Sequence, residues 1–132
     1  MKDLFFNTPA RKKFLKTNTT ELFHIIDTVT KEALSHYEIR FRLLTENQET
    51  MIFPKASGLR ERLMQIYGDE FVNGLIEVNK EYEKGILKIS VFVSDMGNFR
   101  NSKAHQFIFI NKRPIKDASL SHAVYSAYEG IL

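Results

Sequence analysis

The chain has 132 residues, 19 of them cationic and 16 anionic, for a net charge of +3; 43% are hydrophobic, 12% aromatic and none is cysteine. That length suits one domain with an adequate core, and the apolar content argues against disorder. The lack of cysteine excludes a disulfide framework, a thiolate nucleophile and a cysteine-based zinc site.

No apolar run approaches the ~18–20 residues of a membrane helix, so no membrane partner is expected. Asn7 and Thr8 interrupt the opening apolar run before it is long enough for a signal peptide. No internal repeat is evident.

The charge is unevenly spread. Residues 1–16 hold five cations and one anion, and residues 96–116 hold five cations and no anion. Residues 17–95 are acidic on balance, with nine cations against thirteen anions, and residues 117–132 add two anions. Nearly all the basicity therefore sits in two short segments.

In chain order, a helix is expected over about 18–35. Asn18 is placed to cap it, with Glu21 at capping-box spacing, and Leu22, Ile25, Ile26, Val29 and Ala33 share one face. Asp27 and Lys31 form an i, i+4 pair. Next, Ile39, Phe41 and Leu43 alternate with Glu38, Arg40 and Arg42 as in a half-buried strand. Glu46-Asn47-Gln48 reads as a turn, and Glu49 to Phe53 as the returning strand. Ser57 opens a short helix with Leu59, Leu63 and Ile66 inward, stopped by Gly68.

Leu75, Ile76 and Val78 begin a third strand, and Glu83-Lys84-Gly85 reads as a hairpin turn. Leu87, Ile89, Val91 and Val93 alternate cleanly with Lys88, Ser90 and Phe92 in a fourth strand. Asp95 to Lys103 is a polar loop. Gln106 to Ile110 is a near-continuous apolar run, as in a central strand covered on both faces. Asn111 to Lys116 is a basic turn. Asp117 or Ser119 caps a last helix whose apolar face holds Leu120, Ala123, Val124, Ala127 and Ile131. The expected class is α+β: a mixed, mostly antiparallel sheet with helices packed on one face. A parallel strand normally follows such a last helix, so the final strand of the sheet is expected to lie beyond Leu132.

Two segments are able to carry chemistry. In the first, Asn7 to Lys16, the adjacent Arg11, Lys12 and Lys13 fan around a helix and cannot all be buried, while Phe14 and Leu15 anchor the turn. In the second, Lys112, Arg113 and Lys116 sit on the turn leaving a buried strand. Each segment reads either as a solvated charged turn or as a phosphate-backbone contact, in which clustered Arg and Lys release counterions. Arg113 offers the planar fork that suits phosphate oxygens. The four histidines, His24, His36, His105 and His122, lack metal-ligand spacing and read as structural or solvated. There is no Gly-rich phosphate loop, no His-Glu-x-x-His and no Gly-x-Ser-x-Gly. No catalytic residues, metal or cofactor are therefore expected in this chain.

The stretch Asp3-Leu4-Phe5-Phe6-Asn7-Thr8-Pro9-Ala10-Arg11-Lys12-Lys13-Phe14-Leu15-Lys16 closely resembles the signature of the MutL family of DNA mismatch-repair proteins. The Asn-Thr-Pro-Ala-Arg core, with its basic residues and Phe, is the specific part. His24-Ile25, Gly68 to Phe71, and Phe109-Ile110-Asn111-Lys112-Arg113-Pro114-Ile115 extend the likeness over essentially the whole chain.

The resemblance implies that residues 1–16 close an ATPase domain. Residues 17–132 then form the second, or transducer, domain without its last strand, similar to the second domain of a small-subunit ribosomal protein with a left-handed βαβ crossover, an exception to the right-handed rule. It implies that ATP and magnesium are bound by the parent protein in a domain preceding Met1, and that the parent hydrolyses ATP.

The implied function is to couple ATP binding to dimerisation through the N-terminal halves and to sequence-independent DNA binding. The implied partners are the DNA phosphate backbone and a MutS-like mismatch-recognition protein, in a cytoplasmic, nucleoid-associated setting. Arg113 matches an arginine implicated in DNA binding in the family. Arg11, Lys12 and Lys13 belong to the signature turn, and Lys112 and Lys116 follow by proximity. Two alternatives stand beside this reading: an RNA-binding module of the ribosomal-protein type, and a small-molecule kinase of similar fold. The kinase requires a phosphate loop that the sequence lacks.

Overall fold

A computed structural model describes residues 7, 9–12, 17–46, 48–94 and 106–129, with the backbone alone given for Arg11 and Lys12. The element order is α1 (Pro9–Lys12), α2 (Asn18–Ser35), β1 (Phe41–Thr45), β2 (Gln48–Phe53), α3 (Leu59–Tyr67), α4 (Asp69–Asn73), β3 (Leu75–Tyr82), a 3₁₀ turn (Glu83–Gly85), β4 (Leu87–Ser94), β5 (Ile108–Ile110), β6 (Arg113–Ile115) and α5 (Ala118–Glu129). The class is α+β with antiparallel pairing. Among the described residues the pairing falls into three two-stranded ladders, β1–β2, β3–β4 and β5–β6.

Helix α2 begins one residue earlier than the capping-box spacing indicated. Thr17 is the cap, its hydroxyl accepting from the Thr20 amide at 3.3 Å. Either residue type satisfies an orphan amide, a contribution of about 1 kcal/mol; Thr17 is the one whose backbone is extended there. The Asp27–Lys31 pair is present at 2.5 Å. Burial is confined to the last turn, at Thr30, Ala33, Leu34 and Ser35, while Ile25 of the expected inward face is exposed.

Helix α3 is held at its start by Glu61, whose Oε2 accepts from both the amide and the hydroxyl of Ser57 at 2.6 Å. Those bonds hold the Glu61 carboxyl below its usual range. Gly68 ends the helix at φ +87°, in the left-handed region, and the chain turns at once into α4, a helix the periodicity did not reveal. Asp117 closes the start of α5, its Oδ1 accepting from the Leu120 amide at 2.8 Å.

The core is small and lies around α3. Leu34, Leu63 and Val72 form its buried cluster, with Leu59, Met64, Ile66, Tyr67, Phe71, Leu75, Phe92, Phe107 and Phe109 packed against it. Burial drives the Tyr67 phenol up to about 12. Phe53 and Ala56 are buried beside α3.

In β3–β4 the register pairs Ile76 with Val93, Val78 with Val91, Lys80 with Ile89 and Tyr82 with Leu87. Directly opposed residues share a face, so these eight form one surface, and Ile76, Val78, Tyr82, Leu87, Ile89 and Val91 on it are exposed. The ladder meets the core through its other face, by Leu75 and Phe92 at its base, so the alternation marks a face that no described residue covers.

The run Gln106 to Ile110 has one strand neighbour among the described residues. Its strand portion is Ile108–Ile110, hydrogen-bonded among the described residues to β6 alone, and Ile110 is 55% exposed. Asn111 and Lys112 both take positive φ, 48° and 63°, and reverse the chain in a two-residue turn of the type I′ family. A turn of that type matches the right-handed twist of the paired strands, and it makes the basic segment a hairpin.

Candidate nucleic-acid interface

The β5–β6 hairpin sets the position of two of the six cations singled out in the sequence. Phe107 and Phe109 anchor its first arm in the core. Lys112 then stands at the tip and Arg113 one residue on, opposite Ile110 and exposed. The Lys112 ammonium donates to Glu38 Oε1 at 2.9 Å and lies 5.9 Å from the centroid of the Tyr37 ring. The bond raises the Lys112 pKa and lowers that of Glu38, as expected of an ion pair. Lys116 lies further along.

Beneath Lys116 a groove of about 850 Å³ runs between α2, the hairpin and α5. Phe107, Phe109, Pro114 and Ile115 give it an apolar floor, and Asp27, Lys31, Lys116 and Asp117 supply charge. Lys112 and Arg113 therefore stand on one short hairpin, and Lys116 follows directly after its second arm.

Pro9–Lys12 forms a single helical turn, and proline suits a first helical position. Lys13, Phe14 and Leu15 lie outside the described residues, as do Asn47, the Asp95–Lys103 loop, His105 and Ile131.

Sequence reasoning missed the two residues that hold the hairpin from below. Arg62 on α3 is 0% exposed. Its Nη2 donates to the carbonyls of Tyr37 at 2.8 Å and Ile39 at 2.5 Å. Its guanidinium carbon lies 5.7 Å from the ring centroids of both Phe41 and Phe53, within cation–π range. Burial presses its pKa downward against the pull of Glu38 and Glu61, yet guanidinium stays protonated in proteins.

Arg62 thus pins the 37–39 backbone, and Glu38 stands between the two pinned carbonyls. The signal was available for Arg62: positions 59, 62, 63 and 66 fall on one helical stripe, so a cation sat on the inward face. For Glu38 the periodic signal misled: the alternation put it on the outer face of a strand, whereas the strand begins at Phe41 and Glu38 lies in an irregular link before it.

Among the described residues no group of three or more His, Asp or Glu is gathered to hold a metal ion, and the sequence has no phosphate loop. These residues do not fit a magnesium–nucleotide site. No described helix is long and apolar enough to cross a membrane.

Residues 63–132 match a family described as "DNA mismatch repair protein, C-terminal domain". The chain belongs to the MutL family of DNA mismatch-repair proteins. The MutL protein of Thermodesulfovibrio yellowstonii is 41% identical over 97% of this chain, and that of Chlorobaculum tepidum 40% identical over its whole length. The chain spans 23% and 21% of those two proteins, about a fifth of the curated relatives it matches.

A solved structure described as the Aquifex aeolicus MutL ATPase domain complexed with ADP is 33% identical and superposes with a TM-score of 0.73, over 94% of this chain and 45% of that one. A second, the N-terminal domain of a DNA repair protein, has the same TM-score at 23% identity over 96% of this chain and 43% of its own, and speaks for the fold alone.

Proposed function

We propose that this chain is the transducer portion of a MutL protein, with residues 1–16 closing the ATPase domain and 17–132 forming the second domain. On this reading it contacts DNA through the phosphate backbone and passes on the consequence of ATP binding elsewhere in the parent, so that the N-terminal halves dimerise. The parent binds ATP with magnesium, works with a MutS-like partner and acts in the bacterial cytoplasm at the nucleoid. The chain alone turns over no nucleotide. Arg11, Lys12, Lys13, Lys112, Arg113 and Lys116 are the proposed contacts.

The observation that carries the DNA reading is the hairpin tip. A tight turn anchored by Phe107 and Phe109 presents Lys112 and Arg113 outward. Such a support fixes where the cations stand without fixing which bases they meet, which suits backbone contact.

The test is DNA binding by the 132-residue chain as salt is varied. Arg113→Glu is expected to weaken binding about equally on unrelated duplexes and to lower the salt slope by about 1 to 2. Binding that survives high salt would defeat the electrostatic account. A preference for RNA that disappears without 2′-hydroxyls would favour the ribosomal-type alternative.

A further inference from the structure

Glu38 sits at an unusual junction. Its Oε1 accepts from Lys112, while its Oε2 is buried and has no hydrogen-bond partner among the described residues. On the other side of it lies Arg62, whose Nη2 holds two carbonyls but whose Nε and Nη1 are buried without partners. The carbonyls that Arg62 holds belong to the two residues flanking Glu38, so an acceptor lacking a donor and donors lacking an acceptor lie along the same short stretch of chain. Buried polar groups are costly to leave unmade, and a Glu38–Arg62 pairing would satisfy both.

We propose that Glu38 is an intramolecular stand-in for a DNA phosphate: it clasps Lys112 in the free protein and turns to the unpaired donors of Arg62 when DNA takes the lysine. The inference rests on the DNA-contacting role of the hairpin and adds a gate to it.

The physical case has three parts. The Glu38–Lys112 pair is solvent-facing on both sides, and such pairs are weak, so a phosphate backbone can displace the carboxylate. The carboxylate beside the tip repels an approaching phosphate, so its withdrawal removes a penalty as well as freeing a cation. Arg62 supplies a planar fork that accepts a carboxylate edge-on, and it does not have to travel, because the Tyr37 and Ile39 carbonyls and two aromatic rings hold it in place.

The experiment measures duplex binding by the 132-residue chain at low salt for Glu38→Gln, Lys112→Met and the double variant, with Arg113→Glu alongside. Glu38→Gln is expected to tighten binding by about three- to tenfold, by less as salt rises, and to give a clearly smaller gain in the Lys112→Met background, where only the repulsion is relieved. An Nε-labelled arginine spectrum gives the second readout. The buried Arg62 Nε–H resonance should move when DNA is added to the natural sequence and stay still in Glu38→Gln.

Unchanged or weakened binding by Glu38→Gln overturns the proposal, as does a gain undiminished by loss of Lys112 or an Arg62 resonance indifferent to DNA. If Arg113→Glu weakens binding while Glu38→Gln fails to strengthen it, the gate alone falls. If no variant alters binding, or no DNA binds, the DNA reading falls with it.

Discussion

Helix α3 and strand β4 differ by one residue in length and carry comparable apolar patterns, yet they come to opposite ends. Leu63 is buried on α3, and even the charged Arg62 beside it is 0% exposed. No residue of β4 is buried, and its alternating Leu87, Ile89 and Val91 are exposed. Around α3 lie the end of α2, the 37–39 link, β2 and α4. The β3–β4 ladder meets the core only at its base among the described residues. Periodicity names a face, and tertiary neighbours decide whether that face is covered.

The largest test of this contrast is Arg62→Ala. It strands the Tyr37 and Ile39 carbonyls and opens space between Phe41 and Phe53, so we expect a loss of about 3–5 kcal/mol, read from urea unfolding. A cost within a few tenths would mean that the guanidinium is incidental to the packing.

A middle-sized effect comes from acid. Glu61 and Glu38 have pKa values held below the unfolded value of 4.5 by Ser57 and Lys112 respectively. A depressed carboxyl pKa contributes stability that is present above about 4.5 and is lost as pH falls through the folded value. Unfolding profiles should therefore weaken below pH ~4.5, and Glu61→Gln should flatten that limb. An acid limb identical in the variant would remove Glu61 from the account.

The smallest effect is expected on the ladder. Val91→Thr on the open face should change stability by no more than about 0.5 kcal/mol. A loss several times larger would show that this face is covered in solution and would erase the contrast with α3.

Much of this molecule was legible in advance. The helix ending at Ser35, the β1–β2 hairpin, the short helix stopped by Gly68, and the Asp117 cap all follow from local chemistry, which acts within a few residues; the cap of that short helix does not, since Gly58 and not Ser57 stands at the cap position. The family followed from Asn7-Thr8-Pro9-Ala10-Arg11. Less legible was anything set by distant contacts. The basic segment at 111–116 read as a turn, but that it closes a two-residue hairpin onto the 106–110 run was decided by the left-handed backbone at Asn111 and Lys112. Glu38 was read as the outer residue of a strand. Its link to Lys112 spans 74 positions, and no local pattern carries that.

The ladder topology also bears on how the chain folds. Each ladder pairs strands adjacent in sequence, β1 with β2, β3 with β4, β5 with β6, so every described pairing closes only a short loop. Such hairpins form within about 1–10 μs. The contacts that need long-range search are those joining the ladders to the helices, above all Glu38 with Lys112 and Phe107 with Tyr67. Folding should accordingly divide into early, nearly independent hairpin closure and a later docking step. The basic tip acquires its final surroundings only in that second step.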